Sequence, residues 1–529
     1  MIGQHAIIGF VVIPFAAGII NIALHRWRTA QRAVGAFALA MNLALALAAL
    51  ATVYQGEDQA GGVLVSQMGN WPAPFGISVV VDPLAAVMLS VTAAVTFFVY
   101  LYALSQLPPR FEGGYFHALY QLLLLGVNWA FVTGDIFNLF VGFEIMLMAS
   151  YVLMASGTTA LQMRQTYKYV LLNLINSTLL VIACGLLYGH LGTLNMAEIT
   201  HLSLTGQVPA RALPAIMLLL VVFGVKSAAF PLWYWLPDTY PTLPPALGGL
   251  FSGLLTKVGI YTLIRTFIMM FGADAAVRDA AFPIILISAG GTMFLGVLGA
   301  VSGHNVRRIL AVHVISQVGY MVLGVGLATQ VAIAATILYM VQHMIVKSSL
   351  FLCCGMMEKY AGTDDLEGMG GLLRRDAWLA ALFFIAALSL AGLPPLSGFF
   401  GKLLLLIESL RFRWPVFGLP LAVLGLATSL LTLLSMLKIW SFAFWSPPTE
   451  TVRRRMQPPH RLAGLAATGC MVALALSVGL GANFYLKVAN VAARGVIEPG
   501  GYVSAVLGPA VAGPAVNVAH APPDEEVLP

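Results

Sequence analysis

The sequence predicts an all-α polytopic membrane protein of about fourteen transmembrane helices. These are expected as two inverted five-helix repeats, each containing a broken helix, with a small β-hairpin on the outer face. Three observations carry this prediction. Of 529 residues, 60% are hydrophobic and 9% charged, with a mean hydropathy of +0.90, whereas soluble domains carry about 25% charged residues. Apolar runs of about 20 residues, each enough to cross a ~30 Å hydrocarbon core, recur from end to end. Two of these runs are interrupted by proline at corresponding places.

The runs cover 3–24, 31–53, 83–106, 114–133, 135–156, 166–188, 213–235, 245–270, 281–302, 308–328, 331–355, 378–410, 416–445 and 461–484. Backbone groups in lipid must find partners within their own segment, so each run is read as a helix. No basic region precedes the first run and no small-residue cleavage site follows it, so it is read as retained rather than as a cleaved signal. Between the second and third runs, residues 62–65 and 77–81 are β-rich and flank Gly69-Asn70-Trp71-Pro72-Ala73-Pro74, the pattern of a hairpin. Residues 358–377 read as a charged loop with a glycine cluster at 368–371.

The prolines set the internal boundaries. The seventh run contains Lys226-Ser227-Ala228-Ala229-Phe230-Pro231, and the twelfth contains Leu393-Pro394-Pro395-Leu396-Ser397-Gly398-Phe399-Phe400-Gly401-Lys402. Proline lacks an N–H and crowds the preceding turn, so both helices should break near mid-membrane, each beside a lysine. Breaks in matching positions of two halves point to inverted repeats with ion sites at the breaks. The chain accordingly divides into N-terminal helices and hairpin (1–106), a first repeat (107–270) and a second repeat (281–445). A last helix (446–484) and a tail (485–529), rich in Pro, Ala, Gly and Val and expected to be largely disordered, complete it.

Of the 27 Lys and Arg, fifteen fall in alternate loops beginning with the first, six in the other loops and the tail, and six within helices. Positive charge gathers on the cytoplasmic side, which places both termini outside. The net charge of +6 therefore reflects membrane orientation rather than nucleic-acid binding. Cys184, Cys353, Cys354 and Cys470 lie in apolar runs without CxxC spacing, which speaks against a disulfide framework or a metal site. No Walker sequence, Gly-rich nucleotide loop or haem-attachment motif occurs, and no cofactor is expected.

Charged residues inside the runs carry the functional signal. Glu144, Lys226, Lys257 and Lys402 are stranded in membrane-length apolar segments, where an ionisable group is costly and by default marks an ion or proton path. Lys257 lies about 15 Å from either face, too deep for its stem to carry the ammonium to the headgroups. Glu144 has a short stem and no route to the interface; its alternative role is structural pairing with a lysine. Lys347 and Lys438, nearer a helix end, also fit snorkelling. His343 and Lys347, at i and i+4, share a helix face and fit a further link, although a lone membrane histidine also serves in packing. Burial favours the neutral form of lysine and a nearby carboxylate favours the charged form. A Lys226 whose proton is held by Glu144 and released when Glu144 withdraws is thus a switch, with Ser227, Ser252, Thr256 and Ser397 available as bridges.

Lys226-Ser227-Ala228-Ala229-Phe230-Pro231-Leu232-Trp233-Tyr234-Trp235-Leu236-Pro237-Asp238, then Leu254-Leu255-Thr256-Lys257-Val258-Gly259 and the break ending at Lys402, resemble a known family. It is that of the antiporter-like subunits shared by respiratory complex I, membrane-bound hydrogenases and Mrp-type cation/proton antiporters. The resemblance spans roughly residues 80–445. Gly134-Asp135-Ile136-Phe137-Asn138-Leu139-Phe140, Glu144-Ile145-Met146-Leu147-Met148-Ala149-Ser150-Tyr151 and Leu393-Pro394-Pro395-Leu396-Ser397-Gly398-Phe399 are most similar to the D-type subunits of Mrp (Pha, Mnh) antiporters. The resemblance implies a proton-relay role for Glu144, Lys226, Lys257, His343 and Lys402, with Lys347 beside His343. The Lys402 position is glutamate in one complex I subunit type, and residues past 485 match nothing in the pattern. The implied partners are a second large antiporter-like subunit, small membrane subunits, protons and Na+ or K+ in a bacterial cell membrane. The alternative is a proton-pumping subunit of complex I or of an energy-converting hydrogenase, driven by electron transfer elsewhere.

Overall fold

The computed structural model describes residues 3–55, 62–113, 115–157, 159–454 and 460–508. Every apolar run folds as helix: α1 (Gly9–Ala23), α2 (Arg28–Tyr54), α3 (Pro83–Gln106), α4 (Phe116–Val132), α5 (Ile136–Ala155), α6 (Ala160–Leu191), α7 (Leu213–Ser227), α8 (Pro245–Ile264), α9 (Ala275–Val301), α10 (Val306–Leu327), α11 (Gln330–Ala361), α12 (Ala377–Ala391), α13 (Ser397–Leu410), α14 (Pro415–Trp440) and α15 (Arg461–Leu480). Among the described residues, twelve helices are long and apolar enough to cross a membrane, and α4 and α12 are shorter apolar helices. The protein is a multi-pass membrane protein.

Both expected breaks are present. The seventh run is not one helix to residue 235: α7 stops at Ser227, and Ala228 turns left-handed at φ 58°. The twelfth run is likewise two helices, α12 ending at Gly392 with φ 87° and α13 restarting at Ser397. The peptide bonds preceding Pro231 and Pro395 are cis. A glycine on a neighbouring helix lets the backbones close up at each break. A side chain at Gly259 would strike the backbone of Lys226 and Ser227, and one at Gly479 that of Pro395 and Ser397.

Helix contacts repeat across the two units. Neighbours pack in sequence from α4 to α8, and again from α9 through the α12–α13 pair to α14, while α8 against α11 joins the units. Five spans is an odd number, so the second unit enters from the opposite side, which is the inverted arrangement. Helices α8, α10 and α11 form the centre and are enclosed along their whole spanning windows, whereas α1, α2 and α14 bury only a third of theirs. Helix α11, with 32 residues and ~48 Å long at 1.5 Å per residue, runs the full depth of the centre.

The hairpin pairs β1 (Leu64–Gln67) with β2 (Ser78–Val81) in antiparallel register, Leu64 opposite Val81 and Gln67 opposite Ser78. Its first strand begins two residues later than the sequence suggested, because residues 68–70 form a tight turn with positive φ at Gly69 and Asn70. The tail is a correction. Residues 485–508 are not disordered: α16 (Ala482–Ile497) and α17 (Gly500–Leu507) follow α15. Helix α16 is amphipathic and buries Ala489, Ala492, Ala493 and Val496, and it lies on α3 and α11. The Tyr54 hydroxyl donates to the Val488 carbonyl at 2.9 Å. Small alanines on one face supply the close packing that bulk composition concealed. Residues 509–529, the remainder of the expected tail, lie outside the described residues.

Candidate functional site

Helix α7 ends one residue after Lys226, and the lysine is buried against α6. Its ammonium donates to Asn173 Oδ1 at 3.1 Å and lies 5.5 Å from the Phe143 ring centroid. The expected direct pairing of Glu144 with Lys226 is not formed. Glu144 is half-buried on α5, its Oε1 has no hydrogen-bond partner, and no Glu144 ion pair within 4.0 Å occurs among the described residues. Asn173 supplies the contact instead, and Glu144 stays within electrostatic reach of Lys226.

Lys257 is fully enclosed on α8. Its ammonium folds back to the Ser252 carbonyl and to Thr256 Oγ1 at 3.2 Å. Across the joint between the repeats, Lys347 and His343 on α11 are equally enclosed, and among the described residues neither the Lys347 ammonium nor either His343 ring nitrogen has a hydrogen-bond partner. Lys347 therefore does not snorkel. Lys438 does reach a helix end, donating to the carbonyls of Val301 and Gly303 at 3.2 and 2.8 Å. His343 is the meeting point, within electrostatic reach of Lys257, Lys347, Lys402 and His313. Lys402, on α13, returns across the second break to the carbonyls of Leu390 and Ala391. Pro231 and Pro394–Pro395 thus each stand beside a lysine, which turns to α6 at the first break and to the broken helix itself at the second.

Sequence reasoning missed the link between His343 and Lys402. His313 on α10 is fully buried, with Nε2 2.9 Å from Ser435 Oγ and Nδ1 3.3 Å from Ser316 Oγ. Gln317 Nε2 donates to Ser316 Oγ at 2.9 Å and Thr432 Oγ1 at 3.3 Å, and its Oε1 accepts from the Tyr339 hydroxyl. The Tyr339 ring lies 6.3 Å from that of His343 and 5.9 Å from the Lys402 ammonium. The available signal was the spacing of His313, Ser316 and Gln317 at i, i+3 and i+4, one polar face in an apolar run.

Further buried and part-buried charges among the described residues sit in ion pairs. Arg265 forks onto Asp82 and also meets Tyr261 Oη at 3.0 Å, with the Tyr502 ring 5.5 Å away. Arg307 forks onto Glu358, and Arg461 meets Asp376 at 2.7 and 2.8 Å. At the arginine-rich end lies a cavity of about 930 Å³, lined by Gln106, Asp238, Pro245, Arg307, Glu358 and Lys359 among others. It reaches the start of α8 and the end of α11, the helices that carry Lys257 and Lys347 deeper in.

The family described as NADH:quinone oxidoreductase/Mrp antiporter, TM, matches residues 133–432. The D-type component of the Na(+)/H(+) antiporter of Alkalihalophilus pseudofirmus is 41% identical over 501 residues, 94% of this chain and 98% of that protein. The D-type component of a probable K(+)/H(+) antiporter of Rhizobium meliloti is 32% identical over 85% of this chain and 89% of its own length. Among solved structures, a chain of the Mrp complex from Dietzia sp. superposes with a TM-score of 0.86 at 32% identity, covering 96% of this chain and 99% of that one. With the fold, the matched breaks and the buried lysines already in hand, these likenesses identify the chain as a member of the NADH:quinone oxidoreductase/Mrp antiporter transmembrane family.

Proposed function

We propose that this chain is the D-type, proton-conducting subunit of a multisubunit monovalent cation/proton antiporter in a bacterial cell membrane, exchanging Na+ or K+ for protons. The observation that carries the reading is the series of enclosed ionisable groups Lys226, Lys257, Lys347, His343, His313 and Lys402, spread over α7, α8, α10, α11 and α13 of the two repeats. Such groups are costly in a membrane interior unless they conduct or pair, and Lys347 and His343 are left without hydrogen-bond partners.

In this reading Glu144, within electrostatic reach of Lys226, is the counter-charge of that lysine. The absence of direct contact leaves the carboxylate free to approach or retreat. Protons pass by way of Lys257, Lys347 and His343 and on past Tyr339 to Lys402, with Gln317, Ser316 and His313 as a hydrogen-bonded branch leading off Tyr339. The cavity beside Glu358 and Lys359 supplies water access from the face where Arg and Lys gather, which the charge bias makes cytoplasmic, with both termini outside. The chain acts as a transporter subunit, with a second large antiporter-like subunit and small membrane subunits as partners.

The test is cation-dependent proton movement in sealed vesicles carrying the purified assembly, wild type beside Lys226→Ala. Exchange on adding Na+ or K+ that the substitution abolishes in an intact assembly is expected. Near-normal exchange in Lys226→Ala, or proton movement only on adding an electron donor, would overturn the reading.

A further inference from the structure

Helix α12 ends Ser389-Leu390-Ala391-Gly392-Leu393-Pro394-Pro395. A helical carbonyl receives the N–H four residues on, so Leu390 and Ala391 would look to Pro394 and Pro395, neither of which has one. The N–H groups of Gly392 and Leu393 both turn back to the Leu388 carbonyl. The sequence thus strips two adjacent carbonyls of their backbone donors at mid-membrane.

A cation fills the gap. Lys402 Nζ lies 2.9 Å from the Leu390 carbonyl, 3.1 Å from that of Ala391 and 3.2 Å from Ser429 Oγ. Ser429 Oγ also bonds the Ala391 carbonyl at 2.8 Å. The faces of Tyr320 and Tyr339 stand 4.9 and 5.9 Å from the ammonium. Three neutral oxygens, two ring faces and the negative end of a half-helix converge on one buried point. That set recognises a dehydrated monovalent cation, and unwound carbonyls at half-helix ends coordinate such ions in transporters.

The first break has no such cage. There Ala228 N–H and Trp235 Nε1 donate to the Val225 carbonyl, both at 3.1 Å, and Ala229 N–H donates to that of Gly224 at 3.0 Å. At that break the lysine is not drawn onto the broken helix's carbonyls, since Lys226 turns away to Asn173.

We propose that the carbonyls of Leu390 and Ala391 with Ser429 Oγ form a site for an alkali-metal cation, that the Lys402 ammonium is its tethered occupant here, and that lysine and free cation occupy it in turn. This deepens the exchanger reading, on which it rests, by placing a metal-cation site in this chain instead of in a partner. The flexible four-carbon stem of Lys402 can swing clear without moving a helix. Ammonium and K+ are of similar size, so K+ enters the cage as it stands and Na+ requires it to contract.

Binding of radiolabelled rubidium and sodium to the purified assembly tests the proposal. Lys402→Ala is expected to gain a cation site per chain relative to wild type, and adding Ser429→Ala to it should weaken that site about fivefold, the worth of one polar contact. No gain in Lys402→Ala overturns the cage. Where Lys402→Ala does not assemble, Ser429→Ala alone decides in vesicles: the half-saturating cation concentration should rise about fivefold, and an unchanged value overturns the cage. Wild-type vesicles without cation-dependent proton movement defeat the exchanger reading, while binding still decides the cage. Wild-type exchange with neither added binding nor shifted half-saturation defeats the cage alone.

Discussion

Lys257 separates function from stability at a single position. It is enclosed with no counter-ion among the described residues, held by the Ser252 carbonyl and Thr256 Oγ1. A charge in such a place weakens the fold, so Lys257→Met, which keeps volume and removes charge, should leave thermal stability unchanged or raised. Exchange in vesicles should fall by about 100-fold or more, the contribution of a positioned proton-transfer group. Equal loss of stability and activity would make the lysine structural. Asp82 is the converse case. Its pair with Arg265 is buried on both sides, so Asp82→Ala leaves an uncompensated cation and should cost about 3–5 kcal/mol in thermal or denaturant unfolding. At the membrane edge, burial pushes the Asp376 carboxyl up, but hydrogen bonds from Arg461, Leu379 N–H and Tyr360 outweigh it and hold the pKa below the ordinary value. A depressed carboxylate contributes stability that is present above its unfolded pKa of about 3.9 and lost as pH falls through the folded value. Asp376→Asn should therefore flatten the stability profile below pH of about 4, measured as melting temperature against pH.

At the scale of elements, the breaks were legible because proline acts locally. Pro231 and Pro394–Pro395 remove specific N–H groups, and the helices stop within a few residues of where that loss is felt. The glycines opposite the breaks were not legible as such, since their role depends on which helix lies alongside. Gly259→Val should push α8 off the end of α7 and cost about 1–3 kcal/mol, read as a lower melting temperature, with Lys226 displaced from Asn173. A melting temperature equal to wild type would show that the backbones do not meet there. Helix α16 escaped sequence reading for the opposite reason. Its buried face is alanine, valine and little else, too weak a pattern to stand out from a low-complexity tail until α3 and α11 are in place beneath it.

For the whole molecule, the two repeats meet along α8 and α11, which carry Lys257, His343 and Lys347, and the breaks beside Lys226 and Lys402 flank that enclosed centre. The C-terminal helices complete the end opposite the arginine-rich cavity, where Tyr502 closes over Arg265 and Tyr54 holds Val488. Truncation before Ala482 should lower the melting temperature of the assembly by uncovering the buried Asp82–Arg265 pair, and unaltered melting would make α16 and α17 accessory. Sidedness is testable in intact cells. Single cysteines at Asn70 and at Arg308 should label from opposite sides with an impermeant thiol reagent, Asn70 from outside, and labelling of both from one side would overturn the count of spans between them.

The sequence by itself determined the class, the spans, the breaks and the identity of most buried ionisable residues. Each of these follows from hydrophobic length, from proline's missing donor or from the cost of charge in hydrocarbon, and those are properties of a segment alone. Tertiary structure decided which groups touch: Asn173 rather than Glu144 at Lys226, the His313–Gln317–Tyr339 link between α10 and α11, and the return of Lys402 to the carbonyls freed by Pro394 and Pro395. These contacts join different helices or helix halves, 53 residues apart for Lys226 and Asn173, 22 for Tyr339 and Gln317, and 12 and 11 for Lys402 and the carbonyls of Leu390 and Ala391. Their partners are chosen by how helices cross, and no local pattern encodes the crossing.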